Sequence, residues 1–94
     1  MTILVQKFGG TSVGSIEKIN KIADRIVRDL DQGNRLVIVV SAMSGETNRL
    51  LSLGNDISAE PDSREMDVLL ASGEQVTISL LSMALIDRGR NAQS

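Results

Sequence analysis

The run Ile3–Phe8 (ILVQKF) is short, mostly apolar and closed by Gly9 and Gly10, the pattern of a strand bounded by glycines. From Ile16 the period changes. Ile16, Ile19, Ile22, Ala23, Ile26, Val27 and Leu30 recur every three or four residues, which makes one apolar face of a helix. Ser15 stands where an N-cap belongs and Gly33 where a C′ residue belongs. The polar face carries Glu17–Lys21 and Asp24–Arg28, both i,i+4 pairs with the acid first. "RLVIVV" at 35–40 then reads as a strand covered on both faces, as in a parallel α/β sheet. Strand, helix and strand in this order predict a βαβ unit with a right-handed crossover.

The second half predicts helices. "SAMSGETN" is a polar loop leading into a helix from about Asn48 to Ile57. Asp62, with Glu65 three residues on, makes a start resembling a capping box. A helical pattern then continues to about Arg88, with Gly73 as a kink or break. Beyond it, Val76, Ile78, Leu80, Leu81, Met83, Ala84, Leu85 and Ile86 are apolar nearly all round, so this helix needs burial on more than one side. Two strands are too few for an independent sheet. "RGRNAQS" adds no terminal element. The pattern therefore predicts residues 1–94 to be a piece of a larger α/β domain, with dependence on partner subunits as the alternative.

Composition narrows the chemistry. Ninety-four residues fit one small domain. A net charge of −2, spread along the chain, leaves no electrostatic footprint for nucleic acid. Phe8 is the only aromatic, so there is no base-stacking platform either. With no cysteine there is no thiol nucleophile, disulfide or thiolate metal site. With no histidine the usual neutral-pH base is missing as well. Lysine, arginine, carboxylates, hydroxyls and backbone amides remain, a set that suits phosphoryl transfer. "MTILVQKFGG" lacks the features of a signal peptide. "VTISLLSMALI", at 11 residues, is too short to span a bilayer. The expectation is a cytoplasmic protein with no membrane or nucleic-acid partner.

Three stretches could carry chemistry. "VQKFGGTSVGS" is not a Walker A loop, because Ser15-Ile16 follow Gly14 where Lys-Ser/Thr is required. Nor is it a dinucleotide fingerprint, since Thr11 replaces the second glycine. What remains is Lys7 at a strand end, then Gly9-Gly10, then a helix start. Such amides favour an anion; a plain glycine turn beside a solvated lysine fits equally. Ser41 lies at the carboxyl end of the second strand, where parallel sheets bind ligands. Thr47 lies near the next helix start, and Ser44 or Thr47 could simply cap that helix. Glu74, beside Gly73 in an apolar stretch, would be costly if buried unpaired. It could face a polar cleft and bind a cation, or be a surface glutamate at a kink. Asp62, Glu65 and Asp67 read as helix-start charges.

Taken together, "VQKFGGTSV", "VVSAMSGETN" and "REMDVLLASGEQVT" resemble, in order and with natural spacing, the amino-terminal part of the aspartate kinases in the amino-acid kinase family. The resemblance implies a partial three-layer αβα sandwich with a parallel sheet, the carbamate kinase-like fold, incomplete at this length. It implies transfer of the γ-phosphoryl of ATP to the side-chain carboxylate of L-aspartate, with Mg²⁺ expected alongside ATP. In that scheme Lys7 stabilises the transferring phosphoryl, and the amides of Phe8, Gly9 and Gly10 lie at the ATP phosphates. Ser41 and Thr47 bind aspartate, and Glu74 receives its α-ammonium or orders the pocket. The expected partners are these small molecules, plus the rest of the catalytic domain or further copies of the chain. The family's domain is longer, so the 94-residue chain alone is expected to be inactive or nearly so. Another member of the family, or a fragment serving only in assembly, are the alternatives.

Overall fold

The computed structural model describes residues 2–94. Its elements run β1 (Ile3–Phe8), α1 (Ile16–Asp31), β2 (Arg35–Val40), α2 (Glu46–Ile57) and α3 (Ser63–Asp87). The two strands pair in parallel, with Ile3 opposite Arg35 and Phe8 opposite Val40, so their carboxyl ends lie side by side. Parallel pairing requires a crossover, and α1 provides it.

Local chemistry sets α1. The Ser15 hydroxyl accepts the Lys18 amide at 3.2 Å as N-cap. After Gln32, Gly33 takes a positive φ of 87°, a left-handed conformation that glycine adopts without a Cβ penalty. Ile19, Ile22, Ala23 and Ile26 are buried against the sheet and α3. The Glu17–Lys21 pair forms at 3.8 Å between exposed groups. The expected Asp24–Arg28 pair does not. Asp24 instead accepts from Nε of Arg88 at 2.9 Å, and Arg88 also reaches the Ala84 and Asn20 carbonyls. A cation arriving from the end of α3 competes better because it satisfies two backbone acceptors as well.

Only one face of the sheet is covered. Gln6 donates to Asp29 of α1 at 2.7 Å, and Phe8 is buried beneath α1 with the Arg25 guanidinium 5.8 Å from its ring centroid. Alternation sends Ile3, Val5 and Lys7 to the other side, with Val37 and Val39 beside them. Val5 is 69% exposed and Val37 51%, so the expectation that the second strand is covered on both faces is not met within this chain.

Gly73 was expected to kink or break the last helix, yet α3 is continuous over 25 residues. Asp62 caps it by accepting the Glu65 amide at 3.1 Å, as expected. Gly73 is a packing residue. A Cβ there would stand 3.1 Å from the Ala42 Cβ and 3.2 Å from Leu50 Cδ1. Gly54 of α2 is likewise pressed against Met66 of α3. These contacts make α2 and α3 an antiparallel hairpin with small residues where the helices touch. Gly73, Thr77, Leu81 and Leu85 form the buried stripe of α3; α2 lies on its first half and α1 on its second. By length and composition α3 is long enough to cross a membrane; within this chain its buried part is the stripe Gly73, Thr77, Leu81 and Leu85, while Val76, Met83 and Ile86 are exposed.

The molecule is 51 Å long, with a radius of gyration of 15.4 Å. A compact domain of this length would have about 12 Å. The excess comes from the α2–α3 hairpin projecting beyond the two-stranded sheet. This is a partial α/β layer structure: helices on one face, and a bare apolar sheet surface on the other.

Candidate functional site

The carboxyl ends of β1 and β2 carry two loops that lie against each other. The first, residues 9–15, begins with a turn closed by the Ser12 amide donating to the Gly9 carbonyl at 3.0 Å. The second, residues 41–45, begins where the Ser41 amide donates to the Phe8 carbonyl at 3.2 Å. Their contact is tight. A Cβ on Gly10 would stand 3.0 Å from the Ala42 carbonyl oxygen, and one on Gly14 would stand 3.3 Å from the Ser44 Cβ.

Ala42 is the junction of the site. It is buried, with its carbonyl toward Gly10 and its methyl toward Gly73, one residue before Glu74. One small residue thus joins the glycine turn, the second loop and the middle of α3. Nothing in the sequence marks Ala42, because its contribution is its size rather than a functional group.

The sequence-derived site residues therefore gather at one end of the molecule. Lys7 is exposed on the open sheet face at the end of β1. Gly9 has no atom within 4 Å of where its Cβ would be, so the turn's backbone can be approached from outside. Among the described residues, the amides of Gly10 and Thr11 donate no hydrogen bond. Ser41 is half-buried; Thr47 and Glu74 are exposed. Glu74 is thus not a buried charge, and its helix has no kink at that point.

The start of α2 differs from expectation in two respects. The helix begins at Glu46 rather than about Asn48, and its N-cap is Gly45, with φ of 82° and no side-chain cap. Neither Ser44 nor Thr47 caps it. A position that needs positive φ favours glycine, which leaves both neighbouring hydroxyls uncommitted to capping. Glu46 lies over Gly73, its Cγ 3.5 Å from the position of a Cβ there, and it pairs with Arg49. The hydrogen bond from Arg49 holds the Glu46 carboxyl below the usual range; desolvation partly opposes it, and the Arg49 charge adds a smaller lowering. Arg49 is raised in turn, chiefly by the same hydrogen bond.

Two other features bear on what this end of the molecule does. Among the described residues no three Asp, Glu, His or Cys side chains converge. A cleft of about 200 Å³ exists on the covered face of the sheet, between Ile38, Leu81 and Ala92, with no charged residue in its lining. Ser82, Asn91 and Gln93 share its lining with the apolar side chains, and Lys7 is not part of it.

Open α/β folds bind ligands outside the carboxyl ends of their parallel strands, and the glycine turn, the exposed lysine and the hydroxyls gather at that end here. Residues 2–94 match the amino acid kinase family, and the chain belongs to that family. Within it the chain is similar to the amino-terminal part of aspartokinases. It is 56% identical over 94 residues to the aspartokinase of Pseudomonas aeruginosa and 57% identical to aspartokinase 2 of Bacillus subtilis. Each match covers 100% of this chain and 23% of the relative, so the chain spans about a quarter of the length of these proteins. It superposes on a crystal structure of aspartate kinase from Synechocystis with a TM-score of 0.90 and 54% identity, over 93% of this chain and 15% of that one. The partial α/β fold is therefore that of an amino acid kinase.

Proposed function

We propose that the chain is the phosphate- and aspartate-binding portion of an enzyme that phosphorylates the side-chain carboxylate of L-aspartate with ATP, giving 4-phospho-L-aspartate. The supporting observation is the junction at Ala42, which holds the glycine turn, Ser41 and the Gly73–Glu74 turn of α3 in one cluster. The 49–57% identity to proteins named aspartokinase supports the choice of substrate.

The residue inventory suits this reaction. The attacking carboxylate is already ionised at neutral pH, so no histidine or cysteine is needed to remove a proton. A carboxylate oxygen attacks the γ-phosphorus, an O–P bond forms, and the bond to the departing ADP oxygen breaks. The chain's task is to position the reactants and balance charge. Lys7 offsets the negative charge spreading over the transferring group. The backbone from Phe8 to Gly10 is assigned to the phosphate oxygens: Gly9 is open to approach, and the uncommitted Gly10 amide is a donor. The hydroxyls of Ser41 and Thr47 donate to a substrate carboxylate, and Glu74 accepts from its ammonium. Mg²⁺ would neutralise phosphate charge when bound; no residue of this chain is assigned to it, and no step here is routed through it.

The remaining partners follow. The bare face formed by Ile3, Val5, Val37 and Val39 takes the rest of the catalytic domain, and further copies of the chain complete a homo-oligomer. The cytoplasm, which holds ATP and free aspartate, is the proposed compartment. With Lys7, Thr47 and Glu74 all exposed, the isolated chain does not enclose a substrate, and it is expected to show no turnover.

The test is a substrate panel on the catalytic-length polypeptide, meaning this chain continued by the three-quarters present in its relatives. Aspartate should support ADP formation and yield an acyl phosphate that hydroxylamine traps. Equal or better turnover with another amino acid or with carbamate would reject aspartate as the substrate. ADP formation by the 94-residue chain alone would reject its dependence on the remainder.

A further inference from the structure

We infer that Lys18 is a positioning residue for the glycine turn, acting through the backbone without touching nucleotide; this rests on the phosphoryl-transfer reading of that turn. Lys18 is in the first turn of α1, exposed, and outside every motif described above. Its Nζ donates to the Thr11 carbonyl at 3.0 Å. Its own amide donates to the Ser15 cap at 3.2 Å. The neighbouring Lys21 is paired with Glu17, whereas the Lys18 ammonium makes no ion pair among the described residues.

The geometry of one peptide unit explains the effect. The Thr11 carbonyl and the Ser12 amide belong to the same planar group. The amide end is tied to the Gly9 carbonyl at 3.0 Å, and the carbonyl end is tied to Lys18. With both ends held, the plane cannot rotate. Thr11 oxygen stays turned toward α1, while the uncommitted amides of Gly10 and Thr11 stay available to an anion. Released from Lys18, that peptide can turn its oxygen toward the phosphates, where a partial negative charge opposes binding. The ammonium also places a positive charge at the rim of the turn, where it favours an anion at short range.

Two measurements test this. In the catalytic-length enzyme, Lys18→Met keeps the aliphatic stem and removes the donor. It should raise KM for ATP about tenfold, with kcat and KM for aspartate within about threefold of wild type. Lys18→Arg, which restores a charged donor, should recover most of that loss. In the same variants, amide hydrogen exchange at Ser12 should accelerate at least about tenfold in Lys18→Met and stay near wild type in Lys18→Arg. An unchanged KM for ATP, an unchanged Ser12 exchange rate, or failure of arginine to rescue would each overturn the role. A wild-type enzyme forming no ADP with aspartate would instead count against the phosphoryl-transfer reading. Ser12 exchange would still show whether Lys18 holds the turn.

Discussion

The missing Cβ of Gly10 would stand 3.0 Å from the carbonyl oxygen of Ala42, so the loops after the two strands meet with no room for a side chain. Gly10→Ala must push those loops apart by a few tenths of an ångström. It should cost about 1–3 kcal/mol of stability as overpacking and lower kcat/KM at least about tenfold. Gly9 is the contrast, since nothing lies within 4 Å of its Cβ position. Gly9→Ala should leave stability within about 0.5 kcal/mol, yet weaken ATP binding by filling space reserved for phosphate. Urea unfolding and ATP titration on the same two variants separate these effects.

Gly73→Ala sets two tendencies against each other. Alanine favours a helix over glycine by about 1 kcal/mol. Here, however, its methyl would meet Ala42 Cβ at 3.1 Å and Leu50 Cδ1 at 3.2 Å. Ala42 is buried between two segments and cannot withdraw easily. The expected outcome is net destabilisation of about 1–2 kcal/mol, with KM for aspartate raised more than KM for ATP. A variant more stable than wild type would mean that the α2–α3 contact is loose.

Arg88 clasps the end of α3 to α1. Its contacts with Asp24 and with the Ala84 and Asn20 carbonyls should make Arg88→Met cost about 1–2 kcal/mol. Part of that loss should fade in high salt, because Asp24 is 66% exposed. Lys21→Ala, which breaks an exposed pair at 3.8 Å, should cost no more than about 0.5 kcal/mol. Thermal unfolding of both variants at low and high salt checks the contrast.

Glu46 should make stability depend on pH. Its carboxyl is held below the usual range in the folded state, mainly by the Arg49 hydrogen bond. A depressed folded value means that its contribution is present above the unfolded pKa and lost as pH falls through the folded one. Wild type should therefore lose a small increment of stability as pH falls through and below the ordinary glutamate range, and Glu46→Gln should not lose it. Urea midpoints measured across that range check the sign. An identical pH slope in the two proteins would place the pair outside the folding equilibrium.

The elements set by local rules were legible in the sequence. The apolar spacing from Ile16 to Leu30 and the caps at Ser15, Gly33 and Asp62 define α1 and the start of α3 without help from the rest of the fold. Misreadings arose where a distant contact overrode a local preference. Gly73 looked like a break because glycine is a poor helix former, but Ala42 and Leu50 select it for size. Asp24 had a local partner four residues away in Arg28, yet binds Arg88, 64 residues on. The N-cap of α2 fell to Gly45 because of a positive φ that no hydroxyl-bearing neighbour favours. Within the site, Lys7, Gly9 and Gly10 announce themselves by residue type. Ala42 and Lys18 do not, since one acts by being small and the other through a carbonyl that only the folded turn presents.

Lys7 carries the central claim, because it is exposed on the open sheet face near the end of β1, one residue before the Phe8–Gly10 turn. The most direct test is the rate of aspartate-dependent ADP formation by the catalytic-length enzyme carrying Lys7→Ala, at saturating ATP and aspartate. A fall in kcat of more than about a hundredfold, with the fold retained, is the expected result. Turnover within about tenfold of wild type, a barrier change of about 1.4 kcal/mol, would contradict the role assigned to this end of the molecule.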